Sequence, residues 1–305
     1  VERFGSIALI ACACALPAAP ASAAPAMGPD LKSTSFVTTD GVRLHVLEAC
    51  PRAGEAASGP PLPVIAFLPG WSMPAAIWRG QLLALGAEYC VAALDPRGQG
   101  ESEVAAGGYS IERRAADVRE FVARYPRVVL VGWSLGALEA LECVDRYGHA
   151  ALEALVVVDS SVGEDPEPPS GADFVAALKR DRRAAIEDFV RGSFRSPPPA
   201  AELAALTDAA LRMPLEASLS LFPRSRPRSH WRGIVRAFPK PLLYAVSAQF
   251  AAQAQNLKQH RPQTQVAIFE DSGHALFADE AARFNAVLAR FVGEVAALYR
   301  QPPRQ

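Results

Sequence analysis

The run Gly132-Trp133-Ser134-Leu135-Gly136 has the form G-x-S-x-G, and its surroundings give that spacing a chemical meaning. It directly follows an apolar stretch, Val128 to Val131, and directly precedes a helical one, Ala137 to Val144. Small glycines let the backbone turn tightly between strand and helix, so that the serine hydroxyl projects above the sheet; the plain alternative is an ordinary glycine-rich turn. A serine hydroxyl is a poor nucleophile at neutral pH and needs a base within hydrogen-bond reach. Of the five histidines, His274 alone sits on a glycine-flanked loop, Gly273-His274-Ala275, after an apolar strand candidate, Gln265 to Phe269. His45, in an edge strand, His149, at a helix end, His230, in a helical insertion, and His260, in a polar loop, read as structural or surface residues. Ser134 and His274 together could attack a carbonyl carbon, with the imidazole taking up the hydroxyl proton.

Such a pair needs a rigid frame, and the rest of the chain supplies one. Short apolar runs alternate with amphipathic helical stretches, which predicts a mostly parallel sheet covered by helices on both faces. Val64 to Leu68, Val91 to Leu94, Val128 to Val131, Leu155 to Val158 and Leu242 to Val246 read as buried strands. Val42 to Leu47 alternates after the turn signal Asp40-Gly41, as in an antiparallel hairpin at a sheet edge. Ile111, Ala115, Val118 and Val122 mark one helix face, and Phe284, Val287, Leu288, Phe291, Val295 and Leu298 another. The proline-rich segment 161–240 breaks the rhythm, with helical stretches at Phe174 to Lys179, Ala184 to Val190 and Glu202 to Met213 and no clear strand. It reads as a helical lid between two core segments, 31–160 and 241–301.

Three further motifs, in this order with the serine turn, carry a resemblance. Pro69-Gly70-Trp71-Ser72-Met73 resembles an H-G-x loop after a third strand, Asp95 to Ser102 resembles D-x-R-G-x-G-x-S, and Gly273-His274-Ala275 resembles a catalytic G-H loop. The chain thus resembles the α/β-hydrolase superfamily, specifically the branch of cofactor-free haloperoxidases and related esterases. The resemblance implies an eight-stranded, mostly parallel sheet and hydrolysis of a carboxylic ester through an acyl-serine, with no metal or organic cofactor. It assigns the oxyanion donors to the backbone N–H groups of Trp71 and Leu135. Pro69 stands where histidine is usual, a change that a backbone donor can survive. The acid departs more seriously, because no Asp or Glu occurs between Glu216 and Glu270, where relatives usually place it. Some members of the fold supply it one strand earlier, which here points to Asp159, otherwise a cap for the lid's entry turn. Glu270 and Asp271, on the histidine's own loop, are the other candidates, whereas Asp95 and Arg97 read as loop braces. The family's strand order brings Cys50 near Cys90, which leaves a disulfide between them open, bonded or free. Serine at position 134 excludes the carboxylate chemistry of haloalkane dehalogenases and epoxide hydrolases. Peroxyacid formation on the same acyl-serine, or a non-catalytic ligand-binding relative, remains open.

Length and composition agree with this frame. The 305 residues are half hydrophobic, and 31 basic against 32 acidic residues leave no field to recruit nucleic acid. A small-molecule ester with an apolar acyl or aryl part is the expected partner, and Phe174, Leu178, Leu211, Met213, Leu219 and Phe222 are candidates for its pocket. The basic run Arg224, Arg226, Arg228, Arg232, Arg236 and Lys240 reads as a solvated surface, with an anionic substrate as the alternative. Residues 1–23, ending in Ala21-Ser22-Ala23, read as a signal peptide with mature start near Ala24. Leu9-Ile10-Ala11-Cys12 also resembles a lipobox, which would anchor the chain at Cys12. A periplasmic or secreted location follows in the first case, and no stretch reads as a membrane-spanning helix.

Overall fold

The computed structural model of the chain describes residues 29–52, 62–169, 171–222 and 226–300, so the segments read as a signal peptide and a lipobox lie outside the described residues. Every apolar run becomes a strand. In chain order these are β1 (Lys32–Val37), β2 (Arg43–Ala49), β3 (Val64–Leu68), β4 (Val91–Asp95), β5 (Val128–Trp133), β6 (Leu152–Val158), β7 (Leu242–Ser247) and β8 (Gln265–Phe269). They form one eight-stranded sheet in the order β1-β2-β4-β3-β5-β6-β7-β8. β2 runs antiparallel to both β1 and β4, and every other pairing is parallel. β4, β5, β6 and β7 are buried at every position, as continuous apolar strands covered on both faces must be. β1 is partly exposed throughout; its polar sequence KSTSFV is that of an edge strand and gives no apolar run to detect.

The helices are α1 (Arg79–Leu85), α2 (Ile111–Val122), α3 (Leu135–Tyr147), α4 (Ala172–Arg180), α5 (Arg182–Gly192), α6 (Ala200–Ala210), α7 (Leu215–Ser220), α8 (Arg228–Ala237), α9 (Ala251–His260), α10 (Leu276–Asp279) and α11 (Ala281–Arg300). Ser110 caps α2 by accepting from the Arg113 N–H, and the α2 apolar stripe is buried as its spacing predicts. Leu298 leaves the expected stripe of α11: it is 58% exposed, because the helix has run past the core by that turn. Among the described residues, the insertion between β6 and β7 holds five helices, α4 to α8, and no strand. The helix expected to reach Met213 ends at Ala210, since a residue preceding a proline, here Pro214, avoids the helical region. Met213 is fully buried, and α7 begins after the proline. α8 was masked by the basic run, although Trp231 and Val235 form a buried stripe within it.

The described arginines of that basic run are half-buried and paired with acids rather than free in solvent. Arg226 pairs with Glu112 at 2.7 Å and Glu142 at 3.1 Å, Arg228 with Asp165 at 3.1 Å, and Arg236 with Glu164 at 2.6 Å. Lys240 Nζ donates to the His149 carbonyl at 3.0 Å. The acids missing from the local sequence come from α2, α3 and the entry to the insertion. Arg224 lies outside the described residues.

Cys50 follows β2 and Cys90 precedes β4, one step beyond the last antiparallel pair, Ala49 opposite Val91, and the two are joined. The bond closes a segment 40 residues long, for which loop-closure entropy gives about 4 kcal/mol of stabilisation. Cys50→Ser should therefore lower unfolding free energy by about that amount in urea titrations. A loss below about 1 kcal/mol would show that the closed loop is already constrained in the unfolded chain.

Candidate active site

The sharp turn between β5 and α3 puts Ser134 at φ 53°, ψ −120°. Its glycines are required by contact. A Cβ on Gly132 would fall 2.5 Å from the Gly136 carbonyl oxygen, and one on Gly136 would fall 2.5 Å from that of Pro69. The Ser134 N–H donates to the Val158 carbonyl at 3.0 Å, which ties the turn to the end of β6. Among the described residues, three non-glycine residues have positive φ: Ser72 at 58°, Ser134 at 53° and Asp159 at 41°. Each costs about 1–3 kcal/mol. All three are at or beside the residues singled out by sequence, so backbone strain is concentrated here.

Asp159 directly follows β6 beside this turn and is fully buried. Its Oδ2 lies 2.8 Å from His274 Nδ1, and its Oδ1 accepts the Ser247 N–H at 2.6 Å. A carboxylate oxygen accepts, so Nδ1 carries the ring proton and Nε2 is left with its lone pair. The Ser247 donor sits at the end of β7, where the acid was expected and missing; the backbone there holds the acid supplied by β6. Glu270 and Asp271 are exposed and do not reach the ring. The Trp133 indole donates to the His274 carbonyl at 2.9 Å, and its ring lies 5.0 Å from the imidazole. Neither Ser134 Oγ nor His274 Nε2 hydrogen-bonds to another described residue.

Ser134, His274, Asp159, Trp71 and Leu135 line one cavity of about 310 Å³. Its apolar wall is Ile111, Leu138, Phe189, Leu221, Phe222, Trp231 and Phe250. Of the six insertion residues expected there, only Phe222 lines it. Leu178 and Met213 are buried in the packing, and Phe174 stacks behind Phe189 and Phe222 at centroid distances of 5.3 and 5.4 Å. The Trp71 side chain is a packed aromatic, donating to the Ser218 carbonyl at 2.7 Å and set edge-on to Phe174, Phe189 and Phe222. The backbone N–H groups of Trp71 and Leu135 donate to no other described residue, which leaves them available to the cavity.

Other residues hold this arrangement without any sequence signal. Asp279 accepts from the N–H groups of Gly273 at 2.9 Å, Arg195 at 2.9 Å and Ser196 at 3.1 Å, and so clamps the histidine loop to the insertion. Ala275 N–H donates to the Ser193 carbonyl at 2.7 Å on the same seam. The Tyr244 phenol donates to the Ser160 carbonyl at 2.6 Å, next to Asp159. Burial first, and the Asp159 charge second, raise its pKa well above that of free tyrosine, so it stays a donor. Asp95 and Arg97 brace loops as expected. Asp95 accepts from His45 Nδ1 at 2.7 Å and the Glu101 N–H at 2.8 Å, and Arg97 pairs with Asp117 at 2.6 Å. His230, meanwhile, pairs with Glu142 at 2.8 Å, and His260 Nδ1 lies 2.9 Å from the Asn256 carbonyl in its own helix.

The sheet order, the strained serine turn and the pairing of buried Asp159 with His274 define a class, and comparison with known proteins agrees. The model of the alpha/beta hydrolase family matches residues 65–287, and the chain belongs to that family. Among curated proteins it is similar to the pimeloyl-[acyl-carrier protein] methyl ester esterase of Vibrio parahaemolyticus serotype O3:K6, 27% identical over 254 residues that span 75% of this chain and 94% of the relative. The protein of the same name from Aeromonas hydrophila subsp. hydrophila is 28% identical over 258 residues, 76% of this chain and 96% of the relative. Among solved structures, an esterase from Exiguobacterium antarcticum superimposes with a TM-score of 0.72 at 20% identity, covering 85% of this chain and 99% of the other. A bromoperoxidase from Bacillus anthracis gives 0.73 at 20% identity, covering 85% and 100%. At these identities the structures speak for the fold alone.

Proposed function

We propose that the protein is a serine hydrolase that cleaves a carboxylic ester through an acyl-serine intermediate. The observation that carries this reading is the Asp159–His274 hydrogen bond, placed in the same cavity as Ser134 and two undonated backbone N–H groups. His274 Nε2 takes the Ser134 proton as Oγ attacks the ester carbon, and Asp159 steadies the imidazolium that forms. The Trp71 and Leu135 N–H groups receive the charge that develops on the carbonyl oxygen. The imidazolium then protonates the leaving alcohol, and a water activated by the same ring releases the acid. The serine–histidine hydrogen bond absent from the free site is one that such sites commonly tighten only with substrate bound. The curated relatives, named as methyl ester esterases, support an ester as substrate.

The apolar wall favours a neutral acyl or aryl group. Arg226 and Arg228 border the cavity but are already paired with acids, which argues against an anionic substrate. The helical insertion acts as the lid that shapes this wall. A cavity near 310 Å³ is at the small end for ligand sites. In a series of p-nitrophenyl esters, kcat/KM should thus be highest for short acyl chains and fall steeply at dodecanoyl and palmitoyl. A profile that rises with chain length would assign the protein a lipase-like surface instead. We also infer export, which the Cys50–Cys90 bond supports because such bonds persist in oxidising compartments. Recovery of a chain starting near Ala24 from a periplasmic or culture fraction tests this, and a lipid-modified Cys12 would redirect it.

A further inference from the structure

We propose that Gln99, held by the buried pair Arg114–Glu139, is a positioning residue that sets the direction of the Trp71 oxyanion donor. This inference rests on the esterase reading above. Gln99, Arg114 and Glu139 are all buried, with exposures of 0%, 1% and 0%. Gln99 Nε2 donates to the carbonyls of Gly70 at 3.2 Å and Met73 at 2.6 Å, while its Oε1 accepts from Arg114 Nη2 at 3.0 Å. Arg114 Nη2 in turn lies 2.8 Å from Glu139 Oε1. Arginine cannot accept a hydrogen bond, so it fixes which end of the Gln99 amide faces it and leaves the NH₂ for the two carbonyls.

The Gly70 carbonyl and the Trp71 N–H are opposite ends of one planar trans peptide. Whatever holds the oxygen aims the N–H. Two donors hold it: Gln99, and the Met73 N–H at 3.2 Å, which closes a four-residue turn with Ser72 at positive φ in the third place. Gln99, which does not line the cavity, thus adds a side-chain donor to the single backbone donor of the turn. Glu139 belongs to α3, the helix whose first residue is Leu135. The Glu139–Arg114–Gln99–Gly70 chain therefore links the two donors of the oxyanion hole through a buried ion pair at the Glu139 end and hydrogen bonds from Arg114 to Gln99 and from Gln99 to Gly70. Preorganised donors need such support, because a hole that must reorient as charge develops loses its advantage.

The test is Gln99→Met, similar in size but unable to donate, with Gln99→Glu as the second variant, which keeps the acceptor for Arg114 and loses the NH₂. Steady-state kinetics on p-nitrophenyl butyrate should show kcat lowered about 10- to 100-fold with KM within about twofold, less than the 10²–10³-fold cost of losing a donor outright. Inhibition by an aryl-alkyl trifluoromethyl ketone, whose bound adduct places an oxyanion in the hole, should weaken by the same factor. A merely structural role would not move kcat and that inhibition constant together while sparing KM. If Gln99→Met fails to fold, Gln99→Glu carries the same expected result. A folded variant with kcat and ketone inhibition within twofold of wild type overturns this inference and leaves the esterase reading standing. A wild-type protein with neither ester turnover nor ketone inhibition overturns both.

Discussion

Ser134→Ala and His274→Ala should each remove ester turnover by about a million-fold while leaving the fold and its thermal transition almost unchanged. The expectation for serine is direct, since alanine has no atom to form the acyl bond. For histidine it follows from the lone pair left on Nε2 by the Asp159 contact, because no other histidine lines the cavity. Neither residue can act without the other, so the double variant should be no worse than either single one. Both variants should fold, and Ser134→Gly should gain stability where Ser134→Ala does not, because Ser134 sits at positive φ. Retention of more than a tenth of wild-type kcat by either variant would contradict the mechanism.

Asp159→Asn should lower kcat by about ten-thousand-fold with little loss of stability. Asp159 uses both oxygens, one for the Ser247 N–H and one for His274. Asparagine has a single carbonyl oxygen, and the Ser247 N–H, a fixed backbone donor, will claim it. The amide NH₂ then faces His274 Nδ1 and forces it to accept. That tautomer carries its proton on Nε2 and cannot take one from Ser134. Stopped assays on the purified variant, alongside circular dichroism, check this. A change confined to stability, about 1 kcal/mol with kcat kept, would reduce Asp159 to a cap for the turn that follows it.

The sequence was most readable where one local pattern determines one local structure. β3 and β8 have the bounds of their apolar runs, and the G-x-S-x-G turn needs its glycines because neighbouring backbone leaves no room for a Cβ. Asp159 came from the resemblance, because no acid lies between Glu216 and Glu270, where relatives usually place it, and some members of the fold supply it one strand earlier; its carboxylate lies 2.8 Å from His274 Nδ1. The cavity wall was harder. Which face of each insertion helix meets the cavity depends on tertiary packing, so Phe189, Leu221 and Trp231 line it while Leu178 and Met213 do not. Asp279 left no trace at all, because it acts on backbone N–H groups up to 84 residues away, which any sequence would present. The paired arginines of the insertion misled for a related reason: their acids are distant in the chain.

The central claim is that Ser134 is an activated nucleophile, and labelling by a fluorophosphonate probe followed by mass spectrometry tests it most directly. A surface serine does not react with such a probe; one paired with a histidine and facing an oxyanion hole does. The account predicts a single adduct on the peptide containing Gly132-Trp133-Ser134-Leu135-Gly136, absent from Ser134→Ala and sharply slowed in Asp159→Asn. No adduct on the folded wild-type protein, or an adduct that persists in Ser134→Ala, would contradict it.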